Sequence, residues 1–96
     1  MIIHIKKGKL PLKTAPDDQV FWLYGGGTLR NLEDLRSALQ TMPGEVFFWH
    51  VNGLKNDFAN WVEAVMADAA LAQELRKVKR QGTAFNKVDL RLKRYY

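Results

Sequence analysis

Few side chains in this chain of 96 residues have types and spacing that suit chemistry. The two histidines, His4 and His50, lack a second strong ligand four residues away, and no cysteine is present to complete a zinc site. Ser37, the only serine, lies in a predicted helix without the flanking glycines of a nucleophile elbow. We therefore expect no catalytic residue, no metal and no cofactor, and we predict that the protein is not an enzyme. His50 is expected to be a packed, hydrogen-bonded side chain.

The three consecutive glycines at 25–27 lie between a predicted strand and a predicted helix, where phosphate-binding loops also lie. A phosphate-binding loop requires a lysine followed by serine or threonine, and here Thr28 follows the glycines without a lysine. The glycines are therefore interpreted as a structural turn.

Charge is the stronger signal, because the net charge of +5 is unevenly distributed along the chain. Residues 1–14 contain four lysines and no acid, whereas residues 77–96 contain seven bases and only Asp89. The other acids lie between these two basic segments. Such segregation attracts a polyanion to one part of a surface.

The basic ends therefore indicate a small, non-catalytic binding module that binds nucleic acid or associates with it. Basic groups pair with phosphates, and a neighbouring aromatic ring can stack on an unpaired base. The candidate contact residues are Lys6, Lys7, Lys77, Lys79, Arg80, Arg91, Lys93, Arg94 and Tyr95. The partner is DNA or RNA under this hypothesis. The alternative is a protein-interaction module that uses exposed aromatic residues or an acidic helical face.

Three segments are predicted to be strands. Residues 1–6 are mostly apolar, and residues 20–24 are apolar and aromatic and end at the glycines. Residues 88–93 alternate between apolar and charged side chains, which is typical of a half-buried strand. If the first and last strands pair, the two basic segments form one patch.

Helices are predicted between these strands, each starting at a capping residue. Asn31, Asp57 and Asp68 each precede an apolar pattern of helical spacing, and Gly82 is expected to end the helical region. Residues 45–51 are ambiguous, because their aromatic content favours a strand while their spacing favours a helix. We favour the helix.

Together these elements predict a single α+β domain over residues 1–96, with three to four short helices packed on a small sheet formed by both termini and residues 20–24. Trp61 and Phe58 are expected in its core. No apolar run approaches the roughly 18 residues of a membrane span, and the N-terminus does not resemble a signal peptide. A cytoplasmic location is therefore expected.

The central part of the chain resembles a small domain family of unknown function from archaea and little-studied bacterial lineages. The resemblance covers residues 20–76, so that residues 1–14 and 77–96 look like basic additions to a helical body. No activity is assigned to that family, and the resemblance implies a helix at 45–51. It rests on Phe47-x-x-His50-Val51-Asn52, on Lys55-Asn56-Asp57-Phe58-Ala59-Asn60-Trp61-Val62, and on Asp68-x-x-Leu71-Ala72-x-x-Leu75.

Overall fold

A computed structural model describes residues 10–95, and in this part of the chain five α-helices pack around one core beside a two-stranded antiparallel sheet. The α+β class is confirmed, but the helices are more numerous and the sheet is smaller than predicted. After a 3-10 turn at Asp17–Gln19, the elements are β1 (Phe21–Trp22), β2 (Thr28–Leu29), α1 (Leu32–Thr41), α2 (Gly44–His50), α3 (Asp57–Ala64), α4 (Ala69–Arg76) and α5 (Gln81–Leu92).

Two of the three predicted helix caps are confirmed. The side chain of Asn31 accepts a hydrogen bond from the backbone N–H of Asp34 at 2.8 Å, and that of Asp68 accepts one from Leu71 at 3.0 Å. The third cap was wrong by one residue, because Asn56 and not Asp57 accepts from the backbone of α3. Adjacent asparagine and aspartate residues are both good caps, so the sequence does not distinguish them.

The ambiguous segment 45–51 is helical up to His50, as we favoured. In α2, Phe47 and His50 are buried three residues apart, and Val51 is buried just beyond the helix. This spacing turns one face of the helix to the core. The neighbouring Phe48 and Trp49 therefore point away from the core and are half-exposed.

The predicted strand at 88–93 was wrong, because residues 88–92 belong to α5 and Lys93 follows its end. The helix buries Ala84 and Val88, four residues apart, and partly buries Leu92. Leu90, which alternation would turn inward, is 64% exposed. Gly82 does not end the helical region but lies in the first turn of α5. Helical burial of every fourth residue overrides a short local alternation here.

The observed sheet is a hairpin, in which Phe21 pairs with Leu29 and Trp22 pairs with Thr28. The connecting glycines at 25–27 all have positive φ angles, of 89°, 121° and 97°, which residues other than glycine rarely adopt. The structural turn predicted for these glycines is confirmed. The predicted strand at 1–6 lies outside the described residues. Leu10 forms an isolated parallel bridge with Tyr95, so the first and last described residues lie side by side.

The core lies where α5 packs against α1 and α4, and α3 packs against α4. Phe47 and Phe58 are fully buried there, and Trp61 is only 7% exposed, so the predicted burial of Phe58 and Trp61 is confirmed. The indole N–H of Trp61 donates to the backbone carbonyl of Gln19 at 2.8 Å. Among residues 10–95, none of the helices has the length and apolar content that crossing a membrane requires.

Candidate binding groove

His50 and Asp57 form a pair that resembles part of a catalytic site, but both ring nitrogens of the histidine have hydrogen-bond partners within the protein. Nδ1 of His50 lies 2.9 Å from a carboxylate oxygen of Asp57, and Nε2 accepts the backbone N–H of Tyr24 at 3.0 Å. These partners imply a neutral ring whose proton is on Nδ1. The lone pair of Nε2 is occupied, so the histidine cannot take a proton from a substrate in this arrangement. The pair joins the hairpin to α2 and α3.

The carboxylate of Asp57 also accepts a hydrogen bond from Lys55 at 2.8 Å. Partial burial raises the pKa of this carboxyl, but the hydrogen bonds from Lys55 and His50 outweigh burial and hold the pKa below its usual value of 3.8. Asp57 is therefore ionised at neutral pH.

A second polar cluster surrounds the buried side chain of Asp68, which is only 4% exposed. Arg91 donates to both carboxylate oxygens, at 2.7 and 2.9 Å, and the hydroxyl of Tyr95 donates at 2.6 Å. Burial raises the pKa of Asp68, but these hydrogen bonds outweigh it and lower the pKa below 3.8. Burial and the bond to Asp68 raise the pKa of the Tyr95 phenol to about 12.

This cluster changes the interpretation of two predicted contact residues. The guanidinium of Arg91 is engaged in a bidentate ion pair, and its side chain is only 23% exposed. The ring of Tyr95 is 6% exposed and belongs to the core, so it is not available to stack on a base. Both residues stabilise the C-terminal end of the chain against α4.

The other predicted bases fall into two groups, because α5 lies between them. Lys77, Lys79 and Arg80 are exposed just before α5, and Lys77 pairs with Glu74 at 3.3 Å. Lys93 and Arg94 are exposed just after α5. A helix of 12 residues is about 18 Å long, so α5 holds the two groups at opposite ends. Lys6 and Lys7 lie outside the described residues. The strand pairing that was expected to join them to the C-terminal bases in one patch is wrong, because residues 88–92 are helical.

The first of these groups borders an open groove of about 540 Å³. It is lined by the end of α2, the loop that follows it, one residue of α3, and the end of α4 with the next residues. Val51 and Val78, which are buried, also line it. The groove residues are Phe48, Val51, Asn52, Gly53, Leu54, Lys55, Asn56, Asn60, Arg76, Val78 and Lys79.

The loop between α2 and α3 is held in place by its own hydrogen bonds. The amide nitrogen of Asn52 donates to the carbonyls of Phe48 and Trp49, and its oxygen accepts the N–H of Leu54 at 2.9 Å. Val51 and Asn56 form an antiparallel bridge across its base. Leu54 is nevertheless 96% exposed. The ordered loop thus holds an apolar side chain in solvent at the groove.

Three exposed aromatic residues lie on or near the groove. Tyr24 and Trp49 stack on each other with ring centroids 4.3 Å apart, and the ammonium of Lys55 lies 5.2 Å from the Trp49 ring centre. Phe48 lines the groove itself, and it is 55% exposed. Its ring meets that of buried Phe47 at 79°, an edge contact rather than a stack.

Three basic side chains line the groove: Lys55, Arg76 and Lys79. Lys55 pairs with Asp57, and Arg76 pairs with Glu63 at 2.6 Å, but both basic side chains remain partly exposed. Lys79 has no acidic partner among residues 10–95, and the same holds for Arg80 beside it. The groove therefore combines cations, an exposed aromatic ring and an apolar floor.

Sequence reasoning did not identify Phe48, Leu54 and Lys55 as part of a site. A signal was available for Phe48, because a helix that turns Phe47 and His50 inward necessarily turns Phe48 outward. For Lys55 no such signal exists, because only the packing of α3 on α4 brings its loop close to Lys79, which the sequence did indicate.

The part of the chain that the structure describes holds no group of three histidine, aspartate or glutamate side chains arranged to bind a metal ion. In comparisons with known proteins, no family model, curated protein or solved structure matches the chain. The resemblance of residues 20–76 to a family of unknown function remains a prediction.

Proposed function

We propose that this protein is a non-catalytic module that binds nucleic acid through the groove beside α2 and the bases that precede α5. The observation that carries the proposal is the combination of Lys55, Arg76 and Lys79 with the exposed ring of Phe48 around one groove. Cations neutralise phosphates, and aromatic rings stack on bases. The occupied lone pair of His50 supports a non-catalytic role.

The salt dependence of binding tests the proposal. A fluorescein-labelled single-stranded oligonucleotide is titrated with the protein at 50 and 200 mM salt, and anisotropy reports binding. If Lys55, Arg76, Lys79 and Arg80 each neutralise one phosphate, affinity should fall by about 50-fold over this range, since each contact adds about 0.7 to the salt slope. Affinity that does not change with salt, or no binding at 50 mM, contradicts the proposal.

Two double variants distinguish the ends of α5. Replacing Lys79 and Arg80 by alanine should weaken binding and flatten the salt slope by about 1.4. Replacing Lys93 and Arg94 removes the same charge from the other end of the helix and serves as the matched comparison. If the second variant loses more affinity than the first, the contact surface is at the C-terminal end of α5.

A protein partner is the second candidate, favoured by two exposed apolar side chains, one in the groove and one in the hairpin. Leu54 is 96% exposed and Trp22 is 73% exposed. Large exposed aromatic residues often dominate the energy of protein interfaces. Binding through these residues should persist at high salt and be lost in Leu54→Ala or Trp22→Ala, while Lys79→Ala has little effect.

A further inference from the structure

The groove has the size and form of a site for small flat groups rather than for a double helix. Its volume of about 540 Å³ falls in the range of small-molecule sites, roughly 300–1,000 Å³, which suits one or two nucleotides. Base pairs of a duplex are stacked inside the helix, and only their edges are accessible in its grooves. A base that enters this groove must therefore be unpaired.

Phe48 is the aromatic residue that can meet such a base. Tyr24 and Trp49 stack on each other and do not line the groove, whereas Phe48 has no stacked partner among the described rings and lines it. A base can stack on any exposed aromatic face whatever its sequence, which gives affinity without sequence specificity.

The neighbouring cations can hold the phosphates on either side of that base. Lys55 follows the exposed tip of the α2–α3 loop, while Arg76 and Lys79 come from the end of α4 and the residues after it. A strand in the groove would thus meet cations from both segments together with the Phe48 ring. The hydrogen bonds of Asn52 keep the loop ordered without a ligand, so little ordering is needed on binding.

We infer that the groove binds single-stranded nucleic acid in preference to duplex, with an unpaired base stacked on Phe48 and phosphates paired with Lys55, Arg76 and Lys79. This inference rests on the proposed function and specifies its ligand. DNA and RNA share this chemistry and are separate arms of the test.

Anisotropy of labelled 15-nucleotide DNA and RNA strands, and of the corresponding DNA duplex, tests the inference at 50 mM salt. The single strands should bind at least about tenfold more tightly than the duplex. Phe48→Ala should weaken single-strand binding by about 5- to 150-fold, the range for one stacked base, and should leave the salt slope unchanged. Phe48→Trp, which keeps an aromatic ring at this position, should bind single strands as tightly as the parent. Trp22→Ala, an exposed aromatic residue that does not line the groove, is the matched control and should bind as the parent does.

The outcomes separate the inference from the proposed function. Equal, salt-dependent binding of duplex and single strands leaves the proposed function intact and overturns the inference. A single-strand preference that Phe48→Ala does not affect overturns the stacking on Phe48, provided that circular dichroism shows the variant folded. If neither form binds at 50 mM salt, both proposals fail and a protein partner becomes the leading hypothesis.

Discussion

At the scale of single residues, Asp68 joins three parts of the chain. Its carboxylate caps α4 through the N–H of Leu71, pairs with Arg91 of α5, and accepts the hydroxyl of Tyr95. A buried charge is tolerated when hydrogen bonds satisfy it, and removal of one partner of such a pair leaves the other uncompensated. The attachment of Arg91 and Tyr95 to the start of α4 therefore depends on the carboxylate of Asp68.

We expect Asp68→Asn to destabilise the protein by about 3 kcal/mol at pH 7, at the lower end for a buried ion pair because Arg91 keeps some access to water. Asparagine can still cap α4, so the loss reports mainly the charge. Urea unfolding followed by circular dichroism measures it. Asp18→Asn, which removes an exposed carboxylate, is the control and should change stability by less than about 0.5 kcal/mol. A loss no larger than that in Asp68→Asn would contradict the role of the charge.

The advantage of the parent over Asp68→Asn should also depend on pH. Because the pKa of Asp68 is lower in the folded protein than in the unfolded chain, the unfolded chain binds more protons as the solution becomes acidic. The stabilisation is complete above about pH 5 and is lost as the pH falls through the folded pKa. We expect the parent and Asp68→Asn to differ in free energy of unfolding by the same amount at pH 7 and pH 5, and by less at pH 3. A constant difference would contradict this linkage.

At the scale of elements, most helices could be predicted because their local signals agree with their packing. In α1, the cap at Asn31 and the leucines at helical spacing point to the same helix. The end of the chain could not be predicted, because local and tertiary preferences conflict there. Alternation at 88–93 suits a strand. In the structure this segment is instead part of a helix packed against α1 and α4, from which Asp89 contacts Arg36 and Arg91 contacts Asp68.

The side chain of Asn56 connects α3 to α4, and two substitutions there distinguish what its cap and its donated hydrogen bond contribute to stability. Its side-chain oxygen caps α3, and its amide nitrogen donates to the carbonyl of Leu75 at 2.9 Å. Asn56→Ala should cost about 2 kcal/mol, since a cap and a further hydrogen bond each contribute about 1 kcal/mol. Asn56→Asp keeps the cap but loses the donor and should cost about half as much. Equal losses in thermal or urea unfolding would show that the cap contributes nothing.

At the scale of the whole molecule, one core joins the hairpin to the helices. Phe21 of β1 contacts the rings of His50, Phe58 and Trp61, with centroids 4.9 to 5.8 Å apart. The membership of Phe58 and Trp61 in this core could be predicted from their helical spacing. The groove could not, because it is assembled from loops that are distant in sequence and meet only after α3 has packed on α4.

Trp61→Ala should cost about 3–5 kcal/mol, the usual range for a large buried aromatic residue. Trp61→Phe keeps most of the packing but loses the hydrogen bond to Gln19, so its cost should be smaller. Trp22→Ala changes the same residue type at a position that is 73% exposed and should have little effect. Denaturant unfolding of the three variants measures these differences. Equal stability of Trp61→Ala and Trp22→Ala would remove Trp61 from the core.

Gln81, the first residue of α5, donates from its amide nitrogen to the carbonyls of Leu39 and Met42, at 2.8 Å each, and so completes the end of α1. This has a consequence for synthesis on the ribosome. Gln81 is translated 42 positions after Leu39, an interval of about 2–8 s at usual elongation rates. Throughout that interval α1 lacks both its terminal hydrogen-bond donor and the helix that covers its apolar face. The end of α1 therefore cannot be completed until α5 has been synthesised.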